Sequence, residues 1–523
     1  MKLLIRFRWK YFGLIGVLGL LLGGWFFGRF IDEQENMVGG WLIAQGWVIY
    51  RDFFLHHTPL PYFISSLLFM IGQPMGWWWR AVTLLYVLMV GRVIWSNADH
   101  QLQPSIILTG LLLGLAAPRL NLNMYLADSF FAVSFLGSVI LLWQYWQFRP
   151  ARFHFTLKWL LFFWFVSGWS TIVAVPPFLV LLAILFGLEY RRKKSWLTLW
   201  QASRKPLGWF LGLVSIFPLY FWLSGALNDF VWSTVTYNQQ YYFPLRLAET
   251  AGERQWGAFY YSYLRFGSLI IEQGRLIFQT ALTFLQTLGG MMLAVSLILI
   301  AQLTRLLLVW LTTPVTTLAA DALTVLAVGW WAIALSLLWR QRWQLLLVMF
   351  VLSGLLYMRN NEVFHLSVLF LTLFWLISFW WVSSWQQRRL PRVFFWSFVL
   401  LVIITYFAPS YLEHVRHRFP IITPAQRQQA QRIKTLSQPG EKLQVVGGDL
   451  TYYWLSNRLP AGETIIYYPW FQPVERIRQP LLTTLTEQTA QLVILAEPFD
   501  RELVEILETN YSKKEQGLYQ PLK

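Results

Sequence analysis

The feature that most constrains this chain is the recurrence of apolar runs about twenty residues long, the length that crosses a bilayer core. Such windows lie at 11–30, 79–97, 104–120, 126–146, 157–173, 174–190 and 207–224, and again at 282–303, 321–339, 343–358, 364–386 and 392–408. In hydrocarbon a segment must satisfy its own backbone N–H and C=O groups, so runs of this length fold as helices. The composition agrees. Only 13% of the 523 residues are charged, against about 25% in an ordinary soluble domain. Mean hydropathy is +0.47, and 31 Trp, 23 Tyr and 41 Phe suit a chain whose amphipathic rings settle at membrane interfaces. The expected fold class is mainly α, a polytopic membrane protein. Pro176-Pro177 falls in the middle of 157–190, so two short helices with a bend are expected there rather than one span.

The net charge of +17 could suggest nucleic-acid binding. The basic residues are instead gathered into short clusters between apolar runs, as cytoplasmic loops are. Arg149 and Arg152, Arg191-Arg192-Lys193-Lys194 with Arg204-Lys205, Arg340 and Arg342, and Arg388-Arg389 with Arg392 all read this way. Lys2, Arg6, Arg8 and Lys10 precede the first run, which is too long for a signal-peptide core and lacks a small-residue cleavage site after it. It is taken as a retained first helix with a cytoplasmic N-terminus. The loop after it and the insert 225–281 then lie outside, as does the tail after 411. An odd number of crossings follows. Adding Leu306–Ala320 gives about thirteen spans in a plasma (inner) membrane. The chain has no Cys, which excludes disulfides, zinc-thiolate sites and thiol catalysis.

The first outer loop, 31–78, holds most of the unusual polar groups. Asp32-Glu33-Gln34-Glu35 opens it, Arg51-Asp52 follows, and His56-His57 closes it before Pro59 and Pro61. Ionisable groups near span ends are costly and call for a reason. A carboxylate at Asp32, where the first helix leaves the membrane, is suited to take a proton from an attacking hydroxyl; it could equally be an acidic helix cap. Asp128 begins a later span after Arg119 and reads either as a second functional acid or as a helix-end carboxylate. His56-His57 could bind a divalent ion or donate to phosphate. Adjacent His residues point about 100° apart on a helix and to opposite faces of a strand, so one functional His with the other packed is expected. Arg359 and His365, with Glu362 between them, suit recognition of a phosphate, or form a solvated loop. Tyr62–Ile71 and part of Met37–Gln45 read as helices lying on the outer surface.

From 412 onward the chain changes character. Gln426–Leu436, Tyr452–Ser456 and Val474–Glu487 read as helices, and Leu443–Val446 and Leu492–Leu495 as strands. The division expected is 1–411 as the membrane domain and 412–523 as a small extracytoplasmic α/β domain. Gly447-Gly448-Asp449 after a strand lacks a G-x-G-x-x-G continuation and reads as a turn. No P-loop, His-Glu-x-x-His or nucleophile elbow occurs.

An acidic pair after the first span, the Gly46 to Phe54 run containing Tyr50-Arg51-Asp52-Phe53-Phe54, and His57-Thr58-Pro59-Leu60 together resemble the first outer loop of bacterial GT-C membrane glycosyltransferases. The nearest group is the dolichyl-phosphate-mannose–protein mannosyltransferase relatives, which include the lipid A aminoarabinose transferases. Arg80, Asp128 and His365 fit the same pattern, as does a terminal α/β domain. The resemblance implies a polyprenyl-phosphate sugar as donor and a lipid, glycan or protein hydroxyl as acceptor. By position, Asp32 would be the base and Asp128 a secondary catalytic acid. Glu33, Arg51, His56, His57, Arg80 and His365 would contact substrate or phosphate, with Arg359 added on charge alone. A divalent metal is optional in this group. Glu33-Gln34-Glu35 stands where a small residue often follows the acidic pair, and Thr58 where Pro is common.

Two other classes fit a polar outer face. A transporter or flippase of lipid-linked saccharides would need polar groups near the membrane midplane and repeat symmetry or broken helices, whereas this chain gathers its polar groups at one face. A structural subunit of an envelope-polysaccharide complex gives no reason for the 32–61 cluster.

Overall fold

The computed structural model describes residues 2–28, 30–72, 76–148, 153–242, 363–418, 420–496, 500–515 and 517–522, with isolated positions between 326 and 352. The expected windows 282–303, 306–320, 321–339 and 343–358 otherwise lie outside the described residues, as do Arg359 and most of the 225–281 insert. The described chain is mainly helical with one small sheet. In order come α1 (Lys2–Trp25), α2 (Ile31–Ala44), α3 (Leu60–Ile71), α4 (Trp77–Asn97), α5 (Gln103–Ala116), α6 (Ala127–Phe148), α7 (Phe153–Ser170), α8 (Val175–Lys193) and α9 (Trp196–Leu223). Two later long helices cover Ser367–Gln386 and Leu390–His417. Among the described residues, six helices are long and apolar enough to cross a membrane.

The chain divides into two compact units. One comprises 1–20, 98–120 and 256–411, and packs α5 against Ser367–Gln386. The other comprises 21–97, 121–255 and 412–523 and carries most of the expected site residues. Within this second unit, α7 packs on α6, α8 and α9. Between α7 and α8 the chain turns through extended Thr171 and a short 3-10 segment, Ile172–Ala174. Pro176 and Pro177 then sit in the first turn of α8, where a missing N–H costs nothing. Buried polar side chains pair across helices: Asn97 donates to Gln144 at 3.0 Å, Tyr86 meets Ser134, and Glu189 accepts from Tyr145 and Arg192.

α2 and α3 form a tight hairpin. A Cβ added to Gly40 would stand 2.7 Å from the Ser65 backbone carbon, so glycine is what lets the two backbones approach. α1 ends at Trp25, earlier than its apolar run. Gly28 takes a left-handed φ of +99°, and a Cβ there would lie 2.5 Å from the His414 ring.

The terminal segment carries a four-stranded sheet in the order β1-β2-β4-β3, from β1 (Leu443–Val446), β2 (Leu492–Leu495), β3 (Tyr511–Glu515) and β4 (Leu518–Pro521). β1 and β2 are parallel, with Leu443 opposite Leu492. Both are buried along their whole length; β2 is a continuous apolar run, as a covered parallel strand should be, and the one polar residue of β1, Gln444, donates to the Thr464 carbonyl at 2.8 Å. β4 runs antiparallel to β2, and β3 forms the edge. Helices Pro424–Leu436, Thr451–Ser456, Glu475–Thr486 and Arg501–Asn510 surround the sheet. A capping box, Thr423 with Gln426, starts the first of them. The apolar core of this sheet continues without a break into Val38, Leu42, Phe53, Phe54 and Tyr62 of the α2–α3 region.

Asp500 anchors the start of the last helix to Tyr467 and to helix Glu475–Thr486. It accepts from Tyr467 at 2.8 Å and from Arg478 at 2.9 Å. Burial pushes its carboxyl up, but hydrogen bonds from Arg478 and Tyr467 and the Arg478 charge outweigh burial and hold it below its ordinary 3.8. The folded state therefore favours the carboxylate. The stabilisation is complete above the unfolded value and is lost as pH falls through the depressed folded one. Asp500→Ala should destabilise the protein by about 3 kcal/mol at neutral pH, because it leaves Arg478 half-satisfied. Asp500→Asn should flatten the stability profile in the acid range below the ordinary carboxylate value. Denaturant melts across that range test both.

Candidate functional site

Asp32 and Glu35 stand three residues apart in the first turns of α2, so their side chains share a helix face while Glu33 points elsewhere. Glu33 is buried and grips Arg80 of α4 through two hydrogen bonds, Nε to Oε1 at 2.5 Å and a terminal nitrogen to Oε2 at 2.6 Å. The remaining Arg80 donors reach the carbonyls of Phe27 and Gly28, each at 3.0 Å. The Tyr125 backbone N–H also donates to Glu33 at 2.8 Å, and Asn36 donates to the Tyr125 carbonyl at 2.8 Å. Asn123 ties the same end to the Phe27 carbonyl at 2.9 Å. Expected substrate contacts at Glu33 and Arg80 are thus placed in an internal clamp. Arg80 is 0% exposed, and each of its three guanidinium nitrogens donates to Glu33 or to a backbone carbonyl.

Between α2 and α3 the chain doubles back through Tyr50, whose φ of +73° is unusual for a bulky residue. Its strain is held by hydrogen bonds. The Tyr50 N–H donates to the Phe53 carbonyl at 2.9 Å, and its hydroxyl donates to the His57 carbonyl at 2.6 Å. Asp52 accepts from the Val48 N–H at 2.7 Å. Arg51 donates to Asp52 and to the Ser224 carbonyl at 2.8 Å. Burial pushes the Asp52 carboxyl up, and the hydrogen bonds from Arg51 and Val48 more than reverse that. Arg51, expected at the substrate, is placed at the surface as a staple between this loop and the end of α9.

The loop delivers His56 and His57 to Glu35. The expectation that neighbouring His rings diverge is corrected. The two ring centroids are 4.1 Å apart, and one ligand atom from each of Glu35, His56 and His57 lies within 4.8 Å of the other two. The reason is local: the chain bends at His57, so neither the helical nor the extended rule for adjacent side chains applies. His57 Nε2 is 3.9 Å from Glu35 Oε2. That oxygen is buried and accepts no hydrogen bond from the described residues. Burial first, and then the Asp32 charge, push the Glu35 carboxyl well above the usual range.

Two segments that sequence reasoning left without a role complete the surroundings. After α9 and a short helix, Leu227–Val231, the chain forms π-helical turns over Trp232–Thr236 and Asn238–Tyr242, an uncommon geometry concentrated at functional sites. Asn238 donates to the His56 carbonyl at 3.0 Å, and the Tyr242 ring lies 5.2 Å from the His56 ring. From the terminal segment, Phe471 packs on Phe54 and His56. The Phe54 N–H donates to the Glu463 carbonyl at 2.9 Å, and Arg476 holds the π-helical turns through Asp229 at 2.5 Å and the Trp232 ring. Tyr468, 9% exposed, brings a buried hydroxyl that finds no hydrogen-bond partner among the described residues. Burial and the charges of Glu35, Asp32 and Asp449 push it far up, so it remains a donor. The polar-aromatic run Tyr237–Tyr242 was a visible signal for the π-helical wall; nothing in the sequence singled out Tyr468.

Asp128 stands in the first turn of α6 and is partly exposed. His365 lies in a 3-10 turn, Val363–Leu366, of the other unit. Arg359 lies outside the described residues. The chain matches no protein-family model, no curated protein and no solved structure.

Proposed function

We propose that this chain is an inverting membrane glycosyltransferase that moves a sugar from a polyprenyl-phosphate donor to an acceptor hydroxyl at the outer face of the membrane. The observation that carries the reading is the gathering of the loop's acids and imidazoles. Glu35 and His56 are buried under an aromatic cover, with half-buried His57 beside Glu35 and half-buried Asp32 one turn away on the same helix. An open, hydrated acidic loop would need no such construction.

In this reading Asp32 takes the proton of the acceptor O–H as that oxygen attacks the anomeric carbon from the face opposite the phosphate. The carbon–oxygen bond to the phosphate breaks, its electron pair leaves with the lipid phosphate, and configuration inverts. The leaving group departs as an anion, so donors and cations stabilise it better than a general acid would. The Tyr468 hydroxyl is such a donor, and His57 stands partly exposed beside Glu35. Asp128 keeps its proposed supporting role, while the roles proposed for Arg359 and His365 rest on the resemblance alone. Glu33 and Arg80 act as positioning residues that fix the start of α2. Arg51 holds the loop. The site lies outside when the N-terminus is cytoplasmic, and the terminal segment shares that side.

The test is incubation of the purified protein with polyprenyl-phosphate sugars, read by mass spectrometry, beside comparison of lipid-linked sugars and envelope glycans with and without the gene. Donor consumption and a missing glycan are expected. Accumulation of unflipped lipid-linked sugar without donor consumption would replace this reading with the transporter.

Tyr468→Phe separates function from folding. The hydroxyl finds no hydrogen-bond partner among the described residues, so its loss should leave thermal stability unchanged or slightly raised. Transfer should fall about tenfold, the worth of one hydrogen bond to a developing charge. Wild-type turnover in this variant would remove Tyr468 from the site.

A further inference from the structure

We propose that Glu35, His56 and His57 bind one divalent transition-metal ion of the zinc class. Each residue offers one ligand atom, and the three lie within 4.8 Å of one another. A four-coordinate ion with bonds of about 2.0–2.2 Å sets its ligands roughly 3.3–3.6 Å apart. The 3.9 Å between His57 Nε2 and Glu35 Oε2 closes by about half an ångström, and the widest pair, within 4.8 Å, by at most about 1.5 Å of side-chain movement.

A second observation is independent of that spacing. Glu35 is 2% exposed, and Oε2 accepts no hydrogen bond from the described residues. A buried carboxylate oxygen left this way is costly, and a cation between it and the two imidazoles removes the cost. Two imidazoles with one carboxylate favour zinc-like ions over magnesium or calcium, which take oxygen ligands. Three protein ligands leave one coordination position open, the pattern of sites whose ion meets an outside ligand.

The shell around the ligands is built for rigidity. The His57 carbonyl accepts from the Tyr50 hydroxyl at 2.6 Å and the His56 carbonyl from Asn238 at 3.0 Å, which fixes the backbone between the two rings. Phe54 and Phe471 pack on the His56 ring and limit water. Such outer contacts commonly change metal affinity by about 10- to 100-fold. With Arg80 committed to Glu33, an ion here also supplies the positive charge that the resemblance had assigned to that guanidinium.

The experiment uses the full chain, purified in detergent without a polyhistidine tag, stripped with a chelator and equilibrated with Zn2+ or Co2+. Elemental mass spectrometry should find one zinc per chain, and Co2+ should give the visible absorption of a low-coordinate nitrogen–oxygen site. Glu35→Gln and His57→Ala should each weaken Zn2+ binding by at least about tenfold. Glu35→Gln fills the same volume, and its thermal midpoint shows whether the fold is retained. Substoichiometric zinc in the native protein, or unchanged affinity in both variants, overturns the site. Binding is read without substrate, so its failure is distinct from a failure of sugar transfer, which the donor assay reads separately.

Discussion

Asp32→Asn is expected to lower sugar transfer by about 10²- to 10⁴-fold, the contribution of a positioned general base. The amide keeps the volume of the carboxylate but cannot take the acceptor's proton. Asp32 lies in the first turn of α2, and the neighbouring clamp is made by Glu33, Arg80, Tyr125 and Asn36. The substitution should therefore leave the fold and membrane insertion intact. The loss should fall on kcat with KM for the donor nearly unchanged, because the proton is transferred only in the transition state. An Asp32→Asn enzyme that turns over at the native rate would exclude Asp32 as the base.

The second large effect is on stability. Arg80→Met removes the partner of a Glu33 carboxylate that is 1% exposed and leaves the Phe27 and Gly28 carbonyls without their donors. Breaking a buried pair from one side costs about 3–5 kcal/mol. The double variant Glu33→Gln with Arg80→Met should recover part of this, since it no longer buries an uncompensated charge. Arg80→Lys should fall between, because one ammonium cannot reproduce a bidentate grip and two carbonyl contacts together. Denaturant unfolding in mixed micelles measures all three. A phosphate-binding Arg80 would instead raise KM for the donor and leave unfolding unchanged. That outcome would return Arg80 to the substrate.

Much of the helical framework was legible because hydropathy reports directly on segments that bury their own backbone. The windows 79–97 and 126–146 lie close to α4 and α6, and Pro176-Pro177 marked the turn before α8. Helix ends were less legible. α1 stops short of residue 30, near a left-handed Gly28 packed against His414, a tertiary contact with no local signal. β3, Tyr-Ser-Lys-Lys-Glu, was missed because it is a polar edge strand, and edge strands suppress the apolar alternation that reveals central ones; β4, Leu-Tyr-Gln-Pro, is interior but only four residues long and ends on a proline.

The sequence by itself determined that the chain folds as apolar helices and that its first polar loop concentrates acids and imidazoles, since both follow from composition along the chain. Which of those groups meet was decided by the tertiary structure alone. Three-residue spacing on α2 puts Asp32 and Glu35 on one face, but a bend at His57 and the strained Tyr50 turn bring both imidazoles to Glu35. A long-range pairing with α4 takes Glu33 and Arg80 out of reach of solvent. Tyr468 and Phe471, more than four hundred residues downstream of Asp32, join the same site because the terminal sheet shares its apolar core with the loop. Packing of that kind is set by surfaces that exist only after the helices form, and no local pattern records it.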